Sequence, residues 1–105
     1  MEVIVCDNGS VDATDIMVKK EFPDITVIAN KENVGYTKGN NQAVKGAKGR
    51  YLLFLNADTV VYNGTLEKMV RFMDEHEDIG AATCWVQLPN GRLDDSCHRG
   101  FPTPW

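Results

Sequence analysis

Five consecutive large apolar residues, Tyr51-Leu52-Leu53-Phe54-Leu55, run directly into Asn56-Ala57-Asp58-Thr59. A run of this kind is stable only when shielded from water, so it predicts a strand covered on both faces. The polar turn behind it then falls at the C-terminal edge of a sheet, where open α/β folds bind their ligands. Asp58 is therefore a candidate to hold a metal ion or a polar ligand. The arrangement occurs earlier too, where Val3-Ile4-Val5-Cys6 runs into Asp7-Asn8-Gly9-Ser10. Two acid-tipped strands, each followed by a helical segment, predict one shared site.

The remaining pattern alternates in the same way. Glu2 to Cys6 is β-branched and does not alternate with polar residues, as suits a parallel strand. Asp12 is placed to cap a helix, with Asp15 in the position of the capping-box acid. Ala13, Ile16 and Met17 give that helix its apolar stripe, and Phe22-Pro23 ends it. Ile25 to Ala29 is a second buried strand, and Asn30 to Gly35 a polar loop. Thr37 to Ala47 predicts a helix with Ala43, Val44 and Ala47 inward, weakened by Gly39 and Gly46. Leu66, Met69, Val70 and Met73 fall at i, i+3, i+4 and i+7 and predict a helix over Thr65 to His76. Ala81 to Leu88 predicts a further strand, and Pro89-Asn90-Gly91 a hairpin corner. The Pro-rich end, Phe101 to Trp105, suits neither helix nor central strand. Strand and helix in alternation give an α/β class, a three-layer and mostly parallel sheet with a C-terminal hairpin.

Composition excludes some functions. The 105 residues carry a net charge of -4, which argues against a nucleic-acid surface built from clustered Lys and Arg. A nucleotide remains admissible, because a metal ion can meet its phosphates. Cys6, Cys84 and Cys97 have neither zinc-ligand spacing nor an even count, and Cys6 and Cys84 read as small buried hydrophobes in a reducing compartment. No apolar run spans a membrane and no signal peptide precedes the first strand, so a cytoplasmic place is expected. The P-loop, the dinucleotide glycine motif and the nucleophile elbow are all missing.

Each candidate group also has a structural alternative. Mg²⁺ commonly takes one or two carboxylates plus phosphate oxygens and water, which Asp58 could satisfy; equally, Asp58 or Asn56 could only organise a turn. Asp7, Asn8 and Ser10 could read a base or ribose, whereas Ser10 and Asp12 could simply cap a helix. Asn33, Gly35, Gly39 and Asn41 could bring backbone close to a ligand, or form an ordinary surface loop. His76, near a helix C-terminus, and His98 suit surface roles.

Taken together these segments resemble family 2 glycosyltransferases. Val5-Cys6-Asp7-Asn8-Gly9-Ser10-Val11-Asp12 is similar to the family's "VDNGSTDGT" segment, and Glu32-Asn33-Val34-Gly35-Tyr36 to its "EN-x-G-F" loop. Gly39-Asn40-Asn41-Gln42-Ala43 resembles the helix start that follows. Leu55-Asn56-Ala57-Asp58-Thr59 resembles "LNPDT", the family's form of the Asp-x-Asp metal motif. Asn90-Gly91-Arg92 and Arg99-Gly100-Phe101-Pro102 resemble the rhamnosyltransferase-like branch. The resemblance implies a GT-A fold and a nucleoside diphosphate-sugar donor. In that frame Asp7, Asn8 and Ser10 meet the nucleoside. Asn33, Gly35, Asn41 and Asn56 line the donor site, and Asp58 binds Mg²⁺ or Mn²⁺. The sugar goes to an acceptor hydroxyl on a glycan or lipid-linked glycan, and the full-length protein is expected at the inner face of the membrane.

Asn56 stands where the motif has its first acid, which lowers the expected metal affinity. Family members also begin with a further strand ending in a "TYN"-like turn, and their catalytic base falls beyond the position of Trp105. Residues 1–105 are thus expected to be one partial GT-A domain, the donor-binding portion. A missing inner strand would leave unpaired backbone groups, so a homo-oligomer formed through an exposed sheet edge is expected. A receiver-like signalling or nucleotide-binding module competes, with Asp58 as phosphoacceptor, but it wants paired acids after the first strand and a Lys at a later strand end. A nucleotidyltransferase would need a basic Gly-rich loop near the first strand.

Overall fold

The computed structural model describes residues 1–97. His98 and the expected Pro-rich end lie outside the described residues. The chain divides into two compact units, Met1–Asp58 and Thr59–Trp105.

The first unit is a parallel α/β arrangement. Strand β1 (Ile4–Asp7) pairs in parallel with β2 (Thr26–Ala29), in the register Ile4↔Thr26 through Asp7↔Ala29. Helix α1 (Thr14–Glu21) connects them and packs on β2, and helix α2 (Tyr36–Gly46) packs on β1. The register extends the ladder at both ends, with the Thr26 N–H donating to the Val3 carbonyl at 3.2 Å and the Asn30 N–H to the Asp7 carbonyl at 2.9 Å. Both strands therefore end together, and the residues after them, Asn8 and Asn30, emerge side by side at one sheet edge.

The expected cap of α1 is displaced by one residue. Ala13 is the cap residue, in the left-handed region at φ 60°, and makes no side-chain cap bond. Asp12 instead accepts from the Thr14 N–H at 3.2 Å and the Thr14 hydroxyl at 2.5 Å. Asp15 is paired with Lys19 at 3.5 Å rather than with the cap. The stripe expected to be inward is solvated: Ile16 is 65% exposed and Met17 49%.

Tyr51 to Leu55 is not a paired strand. Its side chains are 36% to 62% exposed, and the two-stranded sheet of the described residues does not include it. A strand exists only where a neighbour completes its ladder, and among the described residues no strand pairs with this segment. The same cause leaves every described apolar side chain short of full burial.

In the second unit, α3 (Thr65–Glu75) forms as its periodicity requires, with Leu66, Met69 and Met73 half-buried and Val70 exposed. At its end the His76 Nδ1–H donates to the Phe72 carbonyl at 2.8 Å, and the two rings stack at 4.3 Å. Such a contact suits the carbonyl-rich end of a helix. The strand expected over Ala81 to Leu88 shrinks to one antiparallel bridge, Gln87↔Leu93. The hairpin corner is present, with Gly91 at φ 83° and the Leu88 N–H donating to the Arg92 carbonyl at 2.8 Å. A short 3-10 turn, Asp95–Cys97, follows. Cys84, expected to be buried, is exposed because its stretch has no ladder to cover it; Cys6 and Cys97 are half-buried, and all three are free thiols. No helix among the described residues is long and apolar enough to cross a membrane.

Candidate functional site at the strand ends

Asp7 closes β1 and is the buried charged side chain among the described residues, 7% exposed. Its Oδ1 accepts from the Ser10 N–H at 3.1 Å and from the Ser10 hydroxyl. These bonds turn the chain sharply, and Gly9 at φ 82° supplies the left-handed backbone the turn requires. A Cβ on Gly9 would also stand 3.0 Å from the Glu32 backbone. The β1 loop and the β2 loop are thus pressed together with no space between. Oδ1 folds the loop, and Oδ2 makes no hydrogen bond among the described residues.

Asn8 is held from three sides. The Asn30 Nδ2–H donates to its Oδ1 at 3.2 Å, and its own Nδ2–H donates to the Gly35 carbonyl at 3.4 Å. Against its third side lies buried Gly39 of α2, where an added Cβ would stand 3.2 Å from Oδ1 and 3.3 Å from Nδ2. Gly39, which weakens the helix as a sequence feature, is what lets α2 approach this closely. Gly35 is itself set by Asn33, whose Oδ1 accepts the Gly35 N–H at 2.8 Å in an Asx turn. Asn33 thereby shapes the loop with its oxygen.

Asn41 is exposed on α2 and borders an open depression of about 290 Å³ together with Tyr36, Thr37, Asn40 and Phe54. Asn56 and Asp58 are exposed in the segment after Phe54. No hydrogen bond or ion pair among the described residues engages Asp58 or joins it to the Asp7 loop. The convergence of Asp7 and Asp58 expected from sequence therefore has no direct contact behind it. The described residues contain no cluster of three His, Cys, Asp or Glu side chains able to hold a metal by themselves. Asp58 and Asn56 fit a divalent cation differently: they are hard oxygen donors open to solvent, and one carboxylate suffices for Mg²⁺ when substrate phosphates and water complete the shell.

The structure brings Asp7, Asn8, Ser10, Asn33 and Gly35 to one edge, places Asn41 midway along α2, and leaves Asn56 and Asp58 without a bonded partner among the described residues. Two residues escaped the sequence reading: Asn30 and Gln42. The available signal was positional, since Asn30 follows β2 as Asn8 follows β1, and parallel strands that end in register place such residues side by side. Outside this edge, the Thr14 hydroxyl and then the Thr14 N–H hold the Asp12 carboxyl below the usual aspartate range.

Residues 1–99 match the family model described as glycosyl transferase family 2. The chain is 35% identical over 81 residues to the minor teichoic acid biosynthesis protein GgaB of Bacillus subtilis, covering 74% of this chain and 9% of that protein. It is 39% identical over 77 residues to the putative teichuronic acid biosynthesis glycosyltransferase TuaG of Bacillus subtilis, covering 70% of this chain and 31% of that one. It is 36% identical over 75 residues to the UDP-Glc:alpha-D-GlcNAc-diphosphoundecaprenol beta-1,3-glucosyltransferase WfaP of Escherichia coli, again covering 70% of this chain and 31% of the relative. The chain thus spans less than a third of the length of each of these three relatives. No solved structure matches it.

Proposed function

The chain belongs to glycosyl transferase family 2, and from that premise we propose that it is the donor-binding part of an enzyme moving a sugar from a nucleoside diphosphate-sugar to an acceptor hydroxyl. In that transfer the bond between the sugar C1 and the diphosphate oxygen breaks and the diphosphate leaves with the electron pair. The acceptor oxygen bonds to C1 and loses its proton to a carboxylate base. The observation that carries the proposal is the bonded edge Asn30–Asn8–Gly35, which gathers polar groups from β1, β2 and the start of α2 where a parallel sheet binds ligands.

Within it, the Asp7 Oδ2 accepts an N–H from the base, while Ser10 keeps the carboxylate turned. Asn8 has one amide proton and oxygen lone-pair capacity left for the nucleoside. The Asn33–Gly35 loop, Asn41 and Asn56 border the rest of the donor. Asp58, with Asn56 beside it, would hold Mg²⁺ or Mn²⁺, which supplies charge neutralisation of the leaving diphosphate. The names of GgaB, TuaG and WfaP support a glycan or lipid-linked glycan acceptor in polysaccharide synthesis; work from the cytoplasmic side of a membrane belongs to the same proposal. Self-association through a sheet edge belongs to the same proposal, with the exposed residues Leu52 to Leu55 as the apolar surface it would cover.

Titration calorimetry with UDP, dTDP and GDP, each with Mn²⁺, tests the proposal. One of them binds the intact chain, and Asp58→Ala weakens that binding several-fold, up to about tenfold, with Mn²⁺ while leaving it unchanged without metal. If none of the three nucleotides binds, donor recognition by this chain is refuted.

A further inference from the structure

Asn30 and Gln42 make a reciprocal amide pair. The Asn30 Nδ2–H donates to the Gln42 Oε1 at 2.9 Å, and the Gln42 Nε2–H donates back to the Asn30 Oδ1 at 3.1 Å. The second Asn30 amide proton is directed at the Asn8 Oδ1, 3.2 Å away. The Cys6 thiol donates to the same Gln42 oxygen at 3.7 Å, and its sulfur lies 3.5 Å from the Asn30 Nδ2. All four side chains are half-buried, where an amide turned the wrong way would set oxygen against oxygen and lose its bonds.

From this geometry we propose that the Asn30–Gln42 pair is a positioning device that, together with the Gly35 carbonyl, holds the Asn8 amide in one orientation toward the donor. The Gly35 carbonyl can only accept, so the Asn8 NH₂ faces it and the Asn8 oxygen faces β2. Asn30 meets that oxygen with N–H, and the reciprocal bonds to Gln42 hold Asn30 in place to do so. The pattern of donors and acceptors offered to a ligand is therefore held by residues behind it. Neither Asn30 nor Gln42 needs to touch the nucleotide. This inference rests on the donor-binding proposal and deepens it at Asn8.

Two nearly isosteric substitutions separate the roles. Asn30→Asp keeps an acceptor for the Gln42 NH₂ but removes both donated protons and sets a carboxylate oxygen against the Asn8 Oδ1, so the Asn8 amide is pushed out of alignment. Gln42→Glu loses the bond donated to the Asn30 Oδ1 but keeps the oxygen that receives the Asn30 proton, and so keeps the Asn30 N–H on Asn8. The nucleotide of the UDP, dTDP and GDP set that binds the parent chain with Mn²⁺ is the probe. Its affinity falls about tenfold in Asn30→Asp and changes less than about twofold in Gln42→Glu, tenfold being about 1.4 kcal/mol. In an Asn8→Ala background, Asn30→Asp changes affinity by less than about twofold, since the residue it positions is gone. Should Asn30→Asp not fold, Asn30→Ala in the same two backgrounds reads the same coupling. Equal losses in Asn30→Asp and Gln42→Glu, or an Asn30 loss undiminished without Asn8, overturn the inference and leave the donor proposal standing. Failure of the parent chain to bind any of the three nucleotides removes both.

Discussion

Gly39 and Gly46 lie in the same helix and have opposite surroundings, so replacing each by Ala separates helix propensity from packing. Alanine in place of an interior helical glycine stabilises by about 0.8–1 kcal/mol, chiefly through backbone entropy. At Gly46 an added Cβ meets nothing within 4 Å, and the gain should appear nearly whole, somewhat reduced because Gly46 is the last residue of α2. At Gly39 the same methyl would stand 3.2 Å and 3.3 Å from the Asn8 amide and 3.3 Å from the Cys6 sulfur. Both side chains must move by a few tenths of an ångström. Asn8 then loses alignment with Asn30 and Gly35, bonds of 3.2 Å and 3.4 Å. At about 0.5–1.5 kcal/mol per bond, and toward the lower figure for bonds this long, the loss is about 1 kcal/mol. Crowding adds about 1 kcal/mol more. Gly39→Ala is therefore expected to be net destabilising by about 1 kcal/mol, and Gly46→Ala stabilising by somewhat less than 1 kcal/mol. Thermal unfolding followed by circular dichroism reads the contrast, at roughly 4–8 °C per kcal/mol for a domain of this size. If both variants raise Tm equally, α2 does not approach Asn8 as closely as described, and the positioning of the strand-end loops fails with it.

Other consequences are quicker to check. The Asp12 carboxyl titrates below the usual aspartate range because of the Thr14 hydroxyl and then the Thr14 N–H; a folded pKa below the unfolded one makes this contribution to stability present above the unfolded value and lost as pH falls through the folded one. Carboxyl-carbon NMR should show the Asp12 midpoint rising toward the usual value in Thr14→Val, and an unchanged midpoint would refute that cause. Light scattering over a concentration series should show growing mass for the parent chain and less for Leu53→Lys, since a charge on an exposed apolar segment opposes edge association; a monomer at every concentration refutes the self-association proposal.

The first half of the chain was largely legible because its signals are local. β-branched runs of four residues, a Pro after α1 and polar loops at fixed places specify β1, α1, β2 and α2 to within one or two residues. The α3 periodicity and the Asn90-Gly91 corner were equally readable. What the residues could not convey is whether a strand finds its neighbour. Tyr51 to Leu55 carries the strongest strand signal of the chain, yet hydrogen bonding in a sheet is supplied by another segment, and none of the described residues supplies it. The residues of the candidate site were legible as types and less so in the bonds they make. Asn33 and Asp7 each commit one oxygen to their own loop, a choice that composition does not reveal. Asn30 and Gln42 were overlooked because each is unremarkable alone; only the parallel register brings the first against Asn8, and only the helix start at Tyr36 brings the second against the first.

The two halves of the proposed donor site are supported very differently, and this bears on how binding should divide. Asp7, Asn8 and Gly35 are fixed by short loops, three bonded amides and two positive-φ glycines before any ligand arrives. Asp58 is exposed, and no bond among the described residues holds it. Groups already in place contribute their full interaction on binding, whereas groups that must be ordered lose part of it to entropy. The nucleoside end should therefore supply most of the recognition in this chain, with the metal-dependent diphosphate end adding less than the same residues would on an ordered strand. Comparing uridine with UDP, with and without Mn²⁺, measures that division directly. Uridine binding within about tenfold of UDP is expected if UDP is the nucleotide bound, and an Mn²⁺-dependent gain of about a thousandfold for UDP over uridine would show that the Asp58 end, and not the amide-braced loops, is the organised part of the site.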